Sequence, residues 1–110
     1  MVTYEITATV APTLAEAYER YMRERHIPDL LATGCFVGAI FSRAEAGRYR
    51  IRYESPSRDT LGRYLAEHAP GLRAHFEAQF PAGVQLSREQ WASVQCWGIV
   101  LGVGEDAGND

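Results

Sequence analysis

The sequence contains no lysine; all 11 of its basic residues are arginines. That absence excludes Schiff bases on an internal lysine, lysine-bound pyridoxal phosphate and a P-loop lysine, all of which need an ε-amine. Cysteine is nearly as scarce. Cys35 and Cys96 stand far apart and form no Cys-x-x-Cys pair, which speaks against both a disulfide framework and a thiolate metal site. Both read as small core residues. No apolar run approaches the ~20 residues needed to cross a bilayer, and no basic segment followed by an apolar stretch opens the chain. The expected location is the cytoplasm, with no membrane partner. The Gly-x-Ser-x-Gly, Gly-x-Gly-x-x-Gly and His-Glu-x-x-His patterns are missing too, and with them the usual hydrolase, dinucleotide and zinc-protease signatures. A net charge of -3 speaks against a nucleic-acid partner.

What is present is a chain of 110 residues, 46% hydrophobic and 23% charged, a balance that predicts a folded core rather than disorder. One domain over residues 1–103 is expected, followed by a disordered acidic tail at 104–110. Residues 2 to 10 alternate cleanly, with Val2, Tyr4, Ile6, Ala8 and Val10 on one side and Thr3, Glu5, Thr7 and Thr9 on the other, the signature of a strand with one core face. Pro12 and Thr13 then start a helix, with Thr13 as N-cap and Glu16 completing a capping box. Its apolar stripe is Leu14, Ala17, Tyr18, Tyr21 and Met22. Pro28 predicts a break near His26 and a short second helix, which Gly34 ends.

Residues 35 to 43 read as a second strand with apolar groups on both faces, Phe36 and Ile40 against Val37, Ala39 and Phe41. Glu45, Ala46 and Gly47 form a hairpin into a third strand, residues 48 to 55, where Tyr49, Ile51 and Tyr53 alternate with Arg48, Arg50, Arg52 and Glu54. Ser57 caps the next helix, whose rhythm from Leu61 to Phe80 is interrupted at Pro70. Residues 84 to 87 add a short extended piece, and residues 90 to 102 read as the last strand. The order strand, helix, strand, strand, helix, strand predicts a ferredoxin-like α+β fold: two helices on one face of a four-stranded antiparallel sheet. The first strand then neighbours the third, so Glu5 and the arginine row share the uncovered face, with Phe36 and Ile40 beside them. Two copies packed sheet to sheet would cover that face and enclose a cavity between the sheets.

The run His26-Ile27-Pro28-Asp29-Leu30-Leu31-Ala32-Thr33-Gly34-x-Phe36, with Tyr64 and with Ala69-Pro70-x-Leu72-Arg73 further on, resembles a small bacterial family of unknown function. The resemblance covers roughly residues 2 to 100 and departs at His68, where the family pattern has an acidic residue. It implies the dimeric α+β barrel group, in which ferredoxin-like protomers pair through their sheets. The wider group includes cofactor-free oxygenases, haem-degrading enzymes, isomerases and plain ligand binders, so the resemblance licenses a fold and not a reaction.

Candidate chemistry has two readings at each position. His26 and Asp29 form an acid/base pair, or they cap two helix ends, with Asp29 favouring an N-terminus and a protonated His26 a C-terminus. Tyr64 serves as donor or general acid, or packs in the core. His68 and His75, seven residues apart, fall outside the usual spacing of metal ligands, and no metal site is expected. Glu5, Arg48, Arg50 and Arg52 bind an anion between two sheets or pair across them. Arg73 and Trp91 complete the candidate ligand-binding set. Three functions fit: a homodimer that binds a small anionic or aromatic molecule; an enzyme needing no cofactor, of monooxygenase or isomerase type, working through His26, Asp29 or Tyr64; or a protein-interaction module.

Overall fold

The computed structural model describes residues 1–45 and 47–98. Strand β1 (Val2–Val10) is central, and its alternation is realised in three dimensions: Val2, Tyr4, Ala8 and Val10 are buried and Thr7 and Thr9 exposed. A turn of 3-10 helix (Pro12–Leu14) leads into helix α1 (Ala15–Tyr21), a π-helical turn (Met22–His26) and helix α2 (Ile27–Ala32). Strands β2 (Gly38–Glu45) and β3 (Arg48–Ser55) form a hairpin. Helices α3 (Arg58–Glu67) and α4 (Ala69–Gln79) follow, and strand β4 (Val84–Ala92) closes the order. The sheet is antiparallel, in the order β2-β3-β1-β4, with Ile6 opposite Ile51 on one side and Arg88 on the other. This is the expected ferredoxin-like α+β fold.

Several local expectations hold for the stated reasons. Ser57 Oγ accepts from the Thr60 amide at 3.1 Å, capping α3. Pro70 divides the long helical rhythm into α3 and α4, which meet at His68. Gly34 ends α2 with a φ of 78°. At the hairpin, the Gly47 carbonyl accepts from the Val10 amide at 2.7 Å, and a Cβ there would stand 2.7 Å from the Val10 oxygen. Only glycine allows that approach.

Others need correction. Thr13 makes no capping bond, because Pro12 and Thr13 sit inside the 3-10 turn and the α-helix begins only at Ala15. Pro28 does not break the helix either. Ile27 keeps helical angles and its amide bonds to the Met22 carbonyl, so the proline is absorbed by one widened turn. β2 starts at Gly38 rather than residue 35, and Phe36 packs into the core instead of lying on the uncovered face: its ring meets Tyr64 at 4.9 Å and Tyr53 at 5.2 Å. The last strand lies earlier than residues 90 to 102. Val84 and Leu86 supply its core contacts, and after them the inward positions fall to Arg88 and Gln90, so apolar alternation marks only half of it. Ile99, Val100, Leu101 and residues 104–110 lie outside the described residues.

The core is dominated by tyrosine and phenylalanine, and their ring contacts fall into two groups. Tyr4, Phe36, Tyr53 and Tyr64 pack at one end. Tyr18 anchors the other, against Phe41, Tyr49, Phe76 and Phe80 at centroid distances of 5.0 to 6.3 Å. Among the described residues no ring pair joins the two groups. The space between them is where the site lies.

Candidate functional site

Between the sheet and the helices is a cavity of about 550 Å³, within the range that holds a small organic ligand. Central strands supply its floor through Ile6 and Ile51, and Tyr4 and Tyr53 stand beside them. Its roof comes from Met22 and Leu30 in the first helical segment and from Phe76 in α4, and Tyr18, His26 and Tyr64 complete the inner wall. The widened turn at Met22–His26 matters here: both Met22 and His26 line the cavity from it. Charge is confined to Arg73, Glu77 and Arg88.

Three polar atoms in these walls are buried without a hydrogen-bond partner: Tyr18 Oη, Tyr53 Oη and His26 Nδ1. Each such orphan costs on the order of 1–3 kcal/mol, and three in the walls of one cavity call for a functional reason. Burial pushes the His26 imidazole down to about 4; Asp29 opposes that shift, while His75 and Arg88 add to it. At neutral pH His26 is therefore uncharged, able to donate from one ring nitrogen and accept at the other. Burial likewise raises the phenols of Tyr18, Tyr53 and Tyr64, which stay protonated and serve as neutral donors. Tyr4 is engaged: Arg73 donates to its Oη at 2.9 Å.

Of the residues singled out from sequence, His26, Tyr64 and Arg73 are brought together at this cavity. Asp29 is not. It pairs with Arg25 at 2.9 Å across Pro28 and borders a separate surface cleft with Thr33 and His68. Glu5, Arg48, Arg50, Arg52 and Trp91 all lie on the uncovered face, in two clefts that meet at Glu5. There Arg52 stands 3.8 Å from both Glu5 and Glu54, and Arg48 pairs with Glu45 at 3.0 Å. His75 Nδ1 is bonded to Tyr21 Oη at 2.6 Å, and His68 stacks on Tyr64. Among the described residues no three potential metal ligands cluster. No helix among them is long and apolar enough to span a membrane.

Arg88 was not among the sequence candidates, and Tyr18 and Tyr53 counted only among the aromatics that could line a pocket, with no role of their own. The tyrosines read as core in any alternating strand or helical stripe. Arg88 left a signal, a charge at an inward position two residues beyond Val84 and Leu86, visible only once that strand is placed correctly.

The family model for the domain of unknown function DUF4286 matches residues 1–93. Among curated proteins none matches the sequence. Solved structures share the fold at low identity. A dimeric ferredoxin-like protein from an uncultured marine organism aligns with a TM-score of 0.70 at 7% identity, over 90% of this chain and all of its own (100%). SnoaB, a cofactor-independent oxygenase from Streptomyces nogalater, aligns with a TM-score of 0.65 at 22% identity, over 86% of this chain and 94% of its own. A protein from Deinococcus radiodurans described as an antibiotic biosynthesis monooxygenase gives 0.67 at 17% identity, over 91% and 99%. Identities this low show a common fold and leave the chemistry to the site.

Proposed function

The chain belongs to the DUF4286 family, and we propose that it binds a small aromatic or apolar molecule in the cavity between helices and sheet. One observation carries this reading: a cavity of about 550 Å³ whose largely aromatic and aliphatic wall holds three unpartnered polar atoms. Folding alone gains nothing from those orphans, whereas a bound molecule with a hydroxyl or carbonyl would give them partners. The ligand is thereby assigned to the covered side of the sheet rather than to a space between two sheets.

The uncovered face takes a different role, pairing with a second copy. Ile40, Trp91 and Trp97 are exposed there beside the Glu5 and Arg52 charges, and the marine relative of this fold is dimeric. An Ile40→Asp variant is expected to run as a monomer in sedimentation where the parent runs as a dimer.

Binding is tested with N-phenyl-1-naphthylamine, a neutral aromatic whose fluorescence rises in apolar surroundings. Saturable binding to the parent, abolished by filling the cavity with Leu86→Trp, supports the reading. Binding that survives Leu86→Trp, or no binding at all, refutes it.

A second reading is favoured by the neutral His26, half-buried with its Nδ1 enclosed, and by the fold shared with a cofactor-independent oxygenase. A neutral imidazole beside a bound carbon acid can accept its proton, leaving an anion in a site poor in water. Tyr64, protonated, would donate to the developing oxyanion. Oxygen uptake with an enolisable aromatic ketone, lost in His26→Ala while the melting temperature holds, is the expected result. Uptake unchanged in His26→Ala would remove this reading and leave binding intact.

A further inference from the structure

The cavity wall changes character from the inside outwards. Tyr18, Leu30, Ile51 and Tyr53 are each 1% exposed or less. Arg73, by contrast, is half-buried, and Glu77 and Arg88 are exposed. The charged residues therefore mark the mouth, along the edge strand β4 and the facing side of α4.

Arg88 projects from the position opposite Ile6, a floor residue, in the same inward row as Val84 and Leu86. An aliphatic side chain there would serve the fold at least as well. Arg73 uses one N–H on Tyr4 Oη and keeps the rest of its fork. Among the described residues neither arginine is ion-paired. Glu77 offsets one of the two charges, so the mouth carries a net excess of one positive charge. The charge of Arg88 also reaches inward, since it acts on both His26 and Tyr64.

We infer that the cavity selects a flat aromatic molecule bearing one anionic group, its ring body over Ile6 and Phe76 and its carboxylate or similar anion held by Arg73 and Arg88. This rests on the reading of the cavity as a binding site and adds to it the charge and orientation of the ligand. Guanidinium forks suit planar oxyanions, and the half-buried Arg73 makes the less screened of the two contacts. The anion stays near water while the rings enter the apolar interior, so neither part is left unsatisfied.

Two probes with one ring system separate the claims: neutral N-phenyl-1-naphthylamine and its sulfonated counterpart, 8-anilinonaphthalene-1-sulfonate. The parent protein is expected to bind the sulfonate more tightly. Arg88→Gln, at an exposed position, should cut the preference for the sulfonate over the neutral probe about tenfold, the weight of one charge-assisted hydrogen bond. Arg73→Gln should do the same, although it also frees Tyr4. No preference for the sulfonate in the parent, a preference that survives both substitutions, or sulfonate binding retained in Leu86→Trp overturns the inference. If the neutral probe binds normally in those cases, the binding site stands without the charge selection. If neither probe binds, both fall together.

Discussion

On the covered side of the sheet, Tyr18, Tyr53 and His26 keep polar atoms buried with no partner, whereas on the uncovered face, among the described residues, Arg52 Nε alone does so and Thr3 meets Glu54. Thr3 Oγ1 lies 2.8 Å from both carboxylate oxygens of Glu54, which is itself buried. Arg52 stands between Glu54 and Glu5, its Nε just beyond hydrogen-bond reach of Glu5 at 3.8 Å. The two faces take alternate residues of the same strands, and the helical layer adds Tyr18 and His26 to the covered side. What differs is degree: the uncovered face leaves one buried polar atom without a partner within the protomer, and the covered side leaves three, all of them around one cavity.

The comparison can be broken most forcefully at neighbouring residues of β3. Ile51→Ala should cost about 2–5 kcal/mol, because a fully buried side chain on the cavity floor is removed. A loss below about 1 kcal/mol in urea unfolding would mean the covered face is not the core. Acid should act next. Unfolded histidine titrates near 6.5 and folded His26 near 4, so between those values the unfolded chain binds more protons. Stability should therefore fall as pH drops from 6.5 towards 4, by up to about 3 kcal/mol from this group, with no further contribution below 4. His26→Phe should flatten that interval; an unchanged pH slope would contradict the burial of the imidazole.

On the uncovered face, Thr3→Val removes the donor to a buried carboxylate and should cost roughly 1–3 kcal/mol. A neutral outcome would show that solvent or a partner already satisfies Glu54. Tyr18→Phe and Tyr53→Phe sharpen the contrast with the opposite sign. Deleting an orphan hydroxyl should leave the melting temperature unchanged or raise stability by about 1 kcal/mol, while weakening binding of ligands that carry a hydroxyl. Destabilisation in both variants would show that the hydroxyls already have partners. The smallest effect belongs to Arg50→Ala, exposed and unpaired among the described residues, within about 0.5 kcal/mol.

Sequence carried the covered face's framework well and its contents poorly. Strict alternation in β1 and β3 marks which residues face inward, and with the strand order it puts Glu5 and Thr7 on one face with the arginine row; the pairs Glu5–Arg52 and Thr7–Arg50 are set by the register of the structure. Ser57 and Pro70 act through local chemistry and were legible for that reason. Pro28 was misread because a proline's effect depends on whether the turn before it can widen, which tertiary packing decides. The second half of β4 was misread because its inward residues face a cavity, where packing does not demand an apolar side chain. His26, Tyr64 and Arg73 were visible as unusual residue types, but Asp29 shared their motif without sharing their site. Nothing in a linear pattern distinguishes a core tyrosine with a bonded hydroxyl from one without.

Isoleucine methyl groups report on the two faces separately, since Ile6 and Ile51 point into the cavity and Ile40 stands on the uncovered side. The most direct test is a methyl-resolved NMR titration with N-phenyl-1-naphthylamine. Shifts at Ile6 and Ile51 that saturate together, with Ile40 unmoved, are the result expected of a ligand site beneath the helices. Shifts at Ile40 with Ile6 and Ile51 unmoved would put the ligand on the uncovered face and contradict it.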